Sequence, residues 1–413
     1  MIKYEEFTLD NGLQVIVHED HALPIAVLNI LYKVGSRDEQ EHKTGFAHLF
    51  EHLMFGGSVN VRSFDEPLQK VGGENNAFTS TDITNYYISL PAVNIETAFW
   101  LESDRMLGLA FEEKILEVQR NVVIEEYKQR YLNQPYGDVW LKLRPLAYKV
   151  HPYRWPTIGK DISHIETATM DDVRAFFRKF YIPNNAILVV AGDVRARDIR
   201  KLTEKWFGPV PPGPDYNRNL PYEPVQKKTQ KMKMEADVPL DAIYMAFHMA
   251  GRGDESYHSA DLLSDILGRG KTSRLYQELV RRKHIFNSIN AYVTSSIDPG
   301  LAVVSGKIKN GISPLDAEAE VHTMLEDIKR NGPSDHELQK VKNQAYTSLA
   351  FQDVELLSRA MNLAFFGNLG NPEMINEEQN KIRAVKLESM IQISKEVFSE
   401  RNMNILYYNH IKT

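Results

Sequence analysis

Apolar and polar positions alternate along the first seventeen residues and pause once. Phe7 and Leu9, the dipeptide Asn11-Gly12, then Leu13, Val15 and Val17 read as strand, tight turn and strand. Residues 25–34, 86–90 and 186–192 have the length and β-branched content of further strands. Between them the apolar spacing lengthens to the helical period. It predicts helices at about 44–55, 62–71, 93–106, 112–133 and 171–179. Hairpin signals beside long helices predict an α+β protein, a mainly antiparallel sheet with helices packed on it.

The pattern breaks at Phe207-Gly208-Pro209-Val210-Pro211-Pro212-Gly213-Pro214-Asp215. Four prolines and two glycines in nine residues fit neither a helix nor a central strand. A linker is expected over 208–225, with domains at 1–207 and 226–413. The near-equal halves carry a weak repeat. Ala47 to Met54, followed by glycines, aligns with Ala260 to Leu267, followed by Gly268 and Gly270. Apolar positions coincide, but His48, Glu51 and His52 face Asp261, Ser264 and Asp265. Two homologous halves are therefore expected, the second without the histidines.

Composition narrows the function. A chain of 413 residues suits two or three domains. A hydrophobic content of 43%, a charged content of 25% and a net charge of −6 fit a soluble globular protein. No basic run suggests nucleic acid. The absence of cysteine excludes disulfides, a thiol nucleophile and thiolate-bound metal. The longest apolar run, Ala186 to Ala191, is far too short to span a bilayer. The charged N-terminus has no signal-peptide core, so the expected compartment is the cytoplasm, or the periplasm if a presequence has been removed.

Against this background, His48-Leu49-Phe50-Glu51-His52 stands out. On a helix, positions i, i+3 and i+4 share one face. Two imidazoles can each give zinc a nitrogen. A carboxylate beside them that is not a ligand can take a proton from water activated by the metal. This H-x-x-E-H spacing is a known zinc-peptidase word, the reverse of H-E-x-x-H. A catalytic zinc needs a third protein ligand, and Val118 to Tyr127 offers two adjacent glutamates. With about 100° per residue, Ile115, Gln119, Val122 and Glu126 share one side of a helix, while Glu125 lies about 100° away. A carboxylate on an apolar stripe needs a metal or a charged partner, so Glu126 is the expected ligand. The alternative is a glutamate paired with a basic residue across the core.

At this point the chain resembles the M16 (pitrilysin) family of zinc peptidases, and is most similar to its short bacterial members related to mitochondrial processing peptidase. The resemblance rests on Gly45 to Gly57 around the histidines, Gly72 to Ser80, Asn121 to Glu126 and Pro183 to Asp193. It implies a metallohydrolase fold of two homologous α+β halves and one zinc per chain, held by His48, His52 and Glu126, with Glu51 as general base. It also implies that Asn76, Ala77 and Phe78 lie on an edge strand that binds peptide by strand addition, with Phe78 lining a pocket beside the scissile bond. Two such chains would close a chamber around short or unfolded peptides.

Two departures stand against the family pattern. Gln119 occupies a position seven residues before the third ligand where many active members have glutamate, so a charge behind the ligands is lost. Active members also place an arginine and a tyrosine after the segment matching Ser273 to Glu278, to stabilise the oxyanion. Here those positions hold Val280 and Asn287. The resemblance therefore implies the metal-bearing half of a heterodimer whose homologous partner supplies the pair. A self-sufficient homodimer and a non-catalytic structural subunit are the other readings.

Overall fold

The structure, a computed structural model, describes residues 1–411, which form two compact units. Unit 1 comprises residues 1–128, 155–220 and 350–377; unit 2 comprises 129–154, 221–349 and the chain from 378 onward.

Unit 1 is built on six strands: β1 (Glu5–Thr8), β2 (Gln14–Glu19), β3 (Ile25–Tyr32), β4 (Glu74–Thr79), β5 (Thr84–Pro91) and β6 (Ala186–Gly192). Their order is β1-β2-β6-β3-β5-β4, with only β2 and β6 parallel. The expected hairpin joins β1 to β2, with Thr8 opposite Gln14. Gly12 at its turn has φ 85°, and a Cβ there would lie 2.7 Å from Asn184 Cβ. Strand β6, Ala-Ile-Leu-Val-Val-Ala-Gly, is buried throughout. An apolar run with no polar alternation is covered on both faces.

Unit 2 contains β7 (Gln230–Ala236), β8 (Ala242–Met249), β9 (Phe286–Val293), β10 (Gly300–Ile308) and β11 (Met403–His410), in the order β7-β11-β8-β10-β9. Here β7 and β11 are the parallel pair. Strand for strand this repeats β2-β6-β3-β5-β4, so the faint sequence repeat is realised as one topology used twice.

The units depart from the expected cut in the linker. Residues 211–227 form neither helix nor strand, and the units do separate at 220/221. However, the helix Leu356–Asn368 belongs to unit 1, where Ala360, Leu363 and Ala364 pack with Val27, Leu31, Ile187 and Val189. The helix Val139–Ala147 belongs to unit 2, where Val139 and Leu143 pack with Ala246, Leu301 and Leu406. Both supply cover that a two-faced sheet requires, and helical periodicity does not say which sheet a helix will cover. Among the described residues, no helix is long and apolar enough to cross a membrane.

Candidate metal centre

The histidine helix, Phe46–Leu53, is short and lacks a side-chain cap of its own. Gly45 holds the cap position at φ 89°, where a Cβ would meet Ile158 O at 2.7 Å. The cap comes from elsewhere: the buried Glu39 carboxylate accepts Gly45 N–H at 3.0 Å and Ala47 N–H at 2.8 Å. Two orphan donors at the helix start are thereby satisfied. Burial pushes the Glu39 carboxyl well above the usual carboxylate range, against the pull of these two N–H groups. Sequence reasoning missed Glu39, because it lies six residues before the helix cap and belongs to no local capping pattern. We expect Glu39→Ala to cost about 1–3 kcal/mol, the typical penalty for stranding buried donors. Urea unfolding read by circular dichroism checks this; an unchanged midpoint would show that the helix start is held by other groups.

Leu49, Phe50 and Leu53 bury the opposite side of this helix. Phe50 lies 4.9 Å from the Phe176 ring and 4.8 Å from Tyr181, centroid to centroid. That anchorage leaves His48, Glu51 and His52 half-buried on the remaining face. Glu126 comes from the glutamate helix, Glu113–Tyr127, which is packed through Leu116, Val123 and Tyr127. Glu126 Oε2 lies 3.7 Å from His48 Nε2 and 3.5 Å from His52 Nε2. Bonds of about 2.0–2.1 Å around tetrahedral zinc separate ligand atoms by roughly 3.3–3.4 Å. The two edges from Glu126 therefore already stand close to those of such a site, all three donors lie within 4.8 Å of one another, and among the described residues this is the one cluster of its kind. The nitrogen and oxygen donors, half-buried and open on one side, fit a zinc ion with a position left for water or substrate.

Of the two adjacent glutamates, Glu126 meets the imidazoles, while exposed Glu125 pairs with Lys128 at 2.8 Å. The apolar stripe expected through Val122 and Glu126 is not the buried face of this helix. Val118 and Val122 are 49% and 43% exposed, while Leu116 and Val123 are buried. The buried face is thus centred near Val123, and Glu126 sits at its margin, turned toward the histidines. Gln119 is half-buried two turns before Glu126 on the same side of the helix.

Glu51 lies on the histidine face but outside the donor cluster. Burial raises its carboxyl above the ordinary range; a hydrogen bond to Thr79 and the proximity of His52 pull it down, and Glu126 pushes it up. Thr79 ends β4, which pairs only with β5 and forms an outer edge of its sheet. Along β4, Asn76 and Phe78 are exposed, while Ala77 and Thr79 are half-buried on the alternate face. Phe78 is 39% exposed, on the face opposite Thr79. The Ala77 N–H is covered by its neighbour's side chain, donating to Asn76 Oδ1 at 2.8 Å. In unit 2, Val280 packs against the apolar core, and Asn287 is exposed near the start of β9.

Two imidazoles and a carboxylate around one point, with a second carboxylate beside them, form the donor pattern of a hydrolytic metal centre. Comparison with known proteins agrees with that class. Residues 14–157 match the family described as Insulinase (Peptidase family M16), and residues 167–345 match the Peptidase M16 inactive domain. The chain belongs to peptidase family M16. It is 30% identical to the zinc protease PqqE of Helicobacter pylori, over 98% of this chain and 92% of that one. It is 26% identical to the uncharacterized zinc protease YmxG of Bacillus subtilis, over 97% and 96%. Among solved structures, a protease from Helicobacter pylori superposes with a TM-score of 0.93 at 28% identity, covering 99% of this chain and all (100%) of that one. Pitrilysin matches at a TM-score of 0.76 and 17% identity, covering 99% of this chain but 45% of pitrilysin, which extends the fold relationship alone.

Proposed function

We propose that this chain is the metal-bearing subunit of a zinc-dependent endopeptidase acting on short or unfolded peptides. The observation that carries the reading is the meeting of His48, His52 and Glu126 at ligand spacing, with Glu51 beside them and outside the set. When bound, zinc supplies Lewis acidity toward the peptide carbonyl and makes the attacking water more acidic. His48, His52 and Glu126 hold the ion. Glu51 takes the proton of the attacking water and later delivers it to the leaving amine. Its raised carboxyl favours the delivery half of that cycle. Peptide docks along the open edge of β4 as an added strand. Asn76 swings off the Ala77 N–H as it does so, and Phe78 contacts a peptide side chain. The naming of relatives as zinc proteases supports the same reading.

The partner is inferred from what the second unit lacks. Neither Val280 nor Asn287 carries a cation or a phenol, and losing one oxyanion donor typically costs about 10²–10³ in rate. The isolated chain should bind zinc and cleave a quenched fluorescent peptide slowly. Adding a homologous chain with an arginine and a tyrosine at those positions should raise turnover by about 10²-fold or more, within a closed heterodimer. Full turnover by this chain alone, unchanged by the partner, would instead establish a self-sufficient homodimer.

A further inference from the structure

His18 lies near the end of β2, only 6% exposed, and ties two other stretches of unit 1 to that strand. Its Nδ1 is 2.6 Å from the carbonyl oxygen of Lys3. Its Nε2 is 2.9 Å from Arg359 Nη1, in the first turn of the helix Leu356–Asn368. These two partners fix the state of the ring. A carbonyl only accepts, so Nδ1 carries the hydrogen; a guanidinium only donates, so Nε2 is bare. The imidazole is therefore neutral and in a single tautomer, and the bond from Arg359 requires it to be so.

The surroundings favour that state. Arg359 also donates from Nη2 to Asp20 Oδ2 at 2.5 Å. On β6 the residue paired with His18 is Ala191, which carries no charge. The segment before β1 presents the Lys3 carbonyl, and the ionisable groups acting on the ring are Arg359 and Asp20, of opposite sign. Asp353, at the end of the preceding helix, acts in turn on Arg359. Burial, with Arg359 adding to it, holds the His18 pKa below the ordinary histidine range, against the pull of the Lys3 carbonyl and Asp20.

An added proton has one place to go, which is Nε2. There it faces the guanidinium, so the hydrogen bond from Arg359 is lost and two cations meet across it, with Asp20 beside both. The bond to Lys3 survives, because Nδ1 keeps its hydrogen. Acid therefore acts on one junction of the two. The junction it breaks holds the helix whose Ala360, Leu363 and Ala364 cover Val27, Leu31, Ile187 and Val189.

We propose that His18 and Arg359 form an acid-sensitive latch, in which protonation of His18 frees the helix Leu356–Asn368 from the first sheet. The direction follows from linkage. A released ring takes its proton with the ordinary pKa of about 6.5, and the docked ring only at lower pH. Docking is at full strength above about pH 6.5 and weakens as the pH falls below it. At pH 5.5 a released ring is protonated by about ten to one, so opening gains up to about tenfold over pH 7.5.

Hydrogen–deuterium exchange of the full chain, corrected for the intrinsic effect of pH on exchange, reads this opening directly. Between pH 7.5 and 5.5, opening of the helix Leu356–Asn368 should rise by about three- to tenfold, while β2 keeps its protection. His18→Gln offers Arg359 an acceptor that does not titrate, and should flatten the response. Arg359→Met should raise opening at both pH values and reduce its dependence on pH. A second measurement needs no variant: nitrogen chemical shifts of the His18 ring in the unaltered protein should show the hydrogen on Nδ1 at pH 7.5 and titration below about pH 6.5. Opening of the helix that ignores pH, an equal response in His18→Gln, loss of protection in β2 together with the helix, or a His18 that carries its hydrogen on Nε2 at pH 7.5 overturns the latch.

Discussion

Glu51→Gln is expected to leave zinc in place and lower peptide turnover by about 10²–10⁴-fold, the usual worth of general acid–base catalysis. Glutamine keeps the size of the side chain and an oxygen able to bond Thr79, so the histidine helix has no reason to shift. What disappears is the capacity to accept a proton from water and return it to the leaving amine. Glu51 is suited to both because it lies on the ligand face without belonging to the cluster of His48, His52 and Glu126. Its carboxyl is raised by burial, with Glu126 adding to the effect. Metal analysis of the purified variant, paired with single-turnover cleavage, makes the test. Activity within about tenfold of the unaltered enzyme would remove Glu51 from the chemistry. Loss of zinc with loss of activity would make it a ligand instead.

The second large effect belongs to Glu126. Glu126→Gln should weaken zinc binding by more than about 100-fold, since groups that merely support ligands are worth about 10–100-fold. Glu125→Gln should change it little. The two residues are neighbours in sequence with the same chemistry, so the pair isolates direction on the helix as the variable. Glu126 Oε2 approaches both imidazoles, at 3.7 and 3.5 Å, whereas Glu125 is exposed and bonded to Lys128. Competition against a chromophoric chelator gives both affinities. A larger loss for Glu125 than for Glu126 would reverse the assignment.

Much of this architecture was legible before any coordinates. The Asn11-Gly12 turn, the unbroken apolar run of β6 and the spacing of the histidines each encode their outcome locally. The repeat was legible too, because apolar spacing survives where the histidines of the first half do not. What escaped was non-local. Val118 and Val122 look like core on a helical wheel, yet they are exposed, since a wheel does not reveal which side of a helix the fold covers. Glu39 reaches the helix start through a tertiary approach that no capping pattern announces. The assignment of the helices at 139–147 and 356–368 to units depends on which sheet face lacks cover, a property of the assembled fold.

That last feature has a bearing on biogenesis. The first sheet is fully synthesised once Gly192 has left the ribosome, but the helix that covers it, Leu356–Asn368, is still unmade. At about 5–20 residues per second, the delay is on the order of ten to thirty seconds. During that interval Val27, Leu31, Ile187 and Val189 lack the cover of Ala360, Leu363 and Ala364. The nascent chain is therefore a natural client for holdase chaperones, and its N-terminal half expressed alone should be recovered as aggregate.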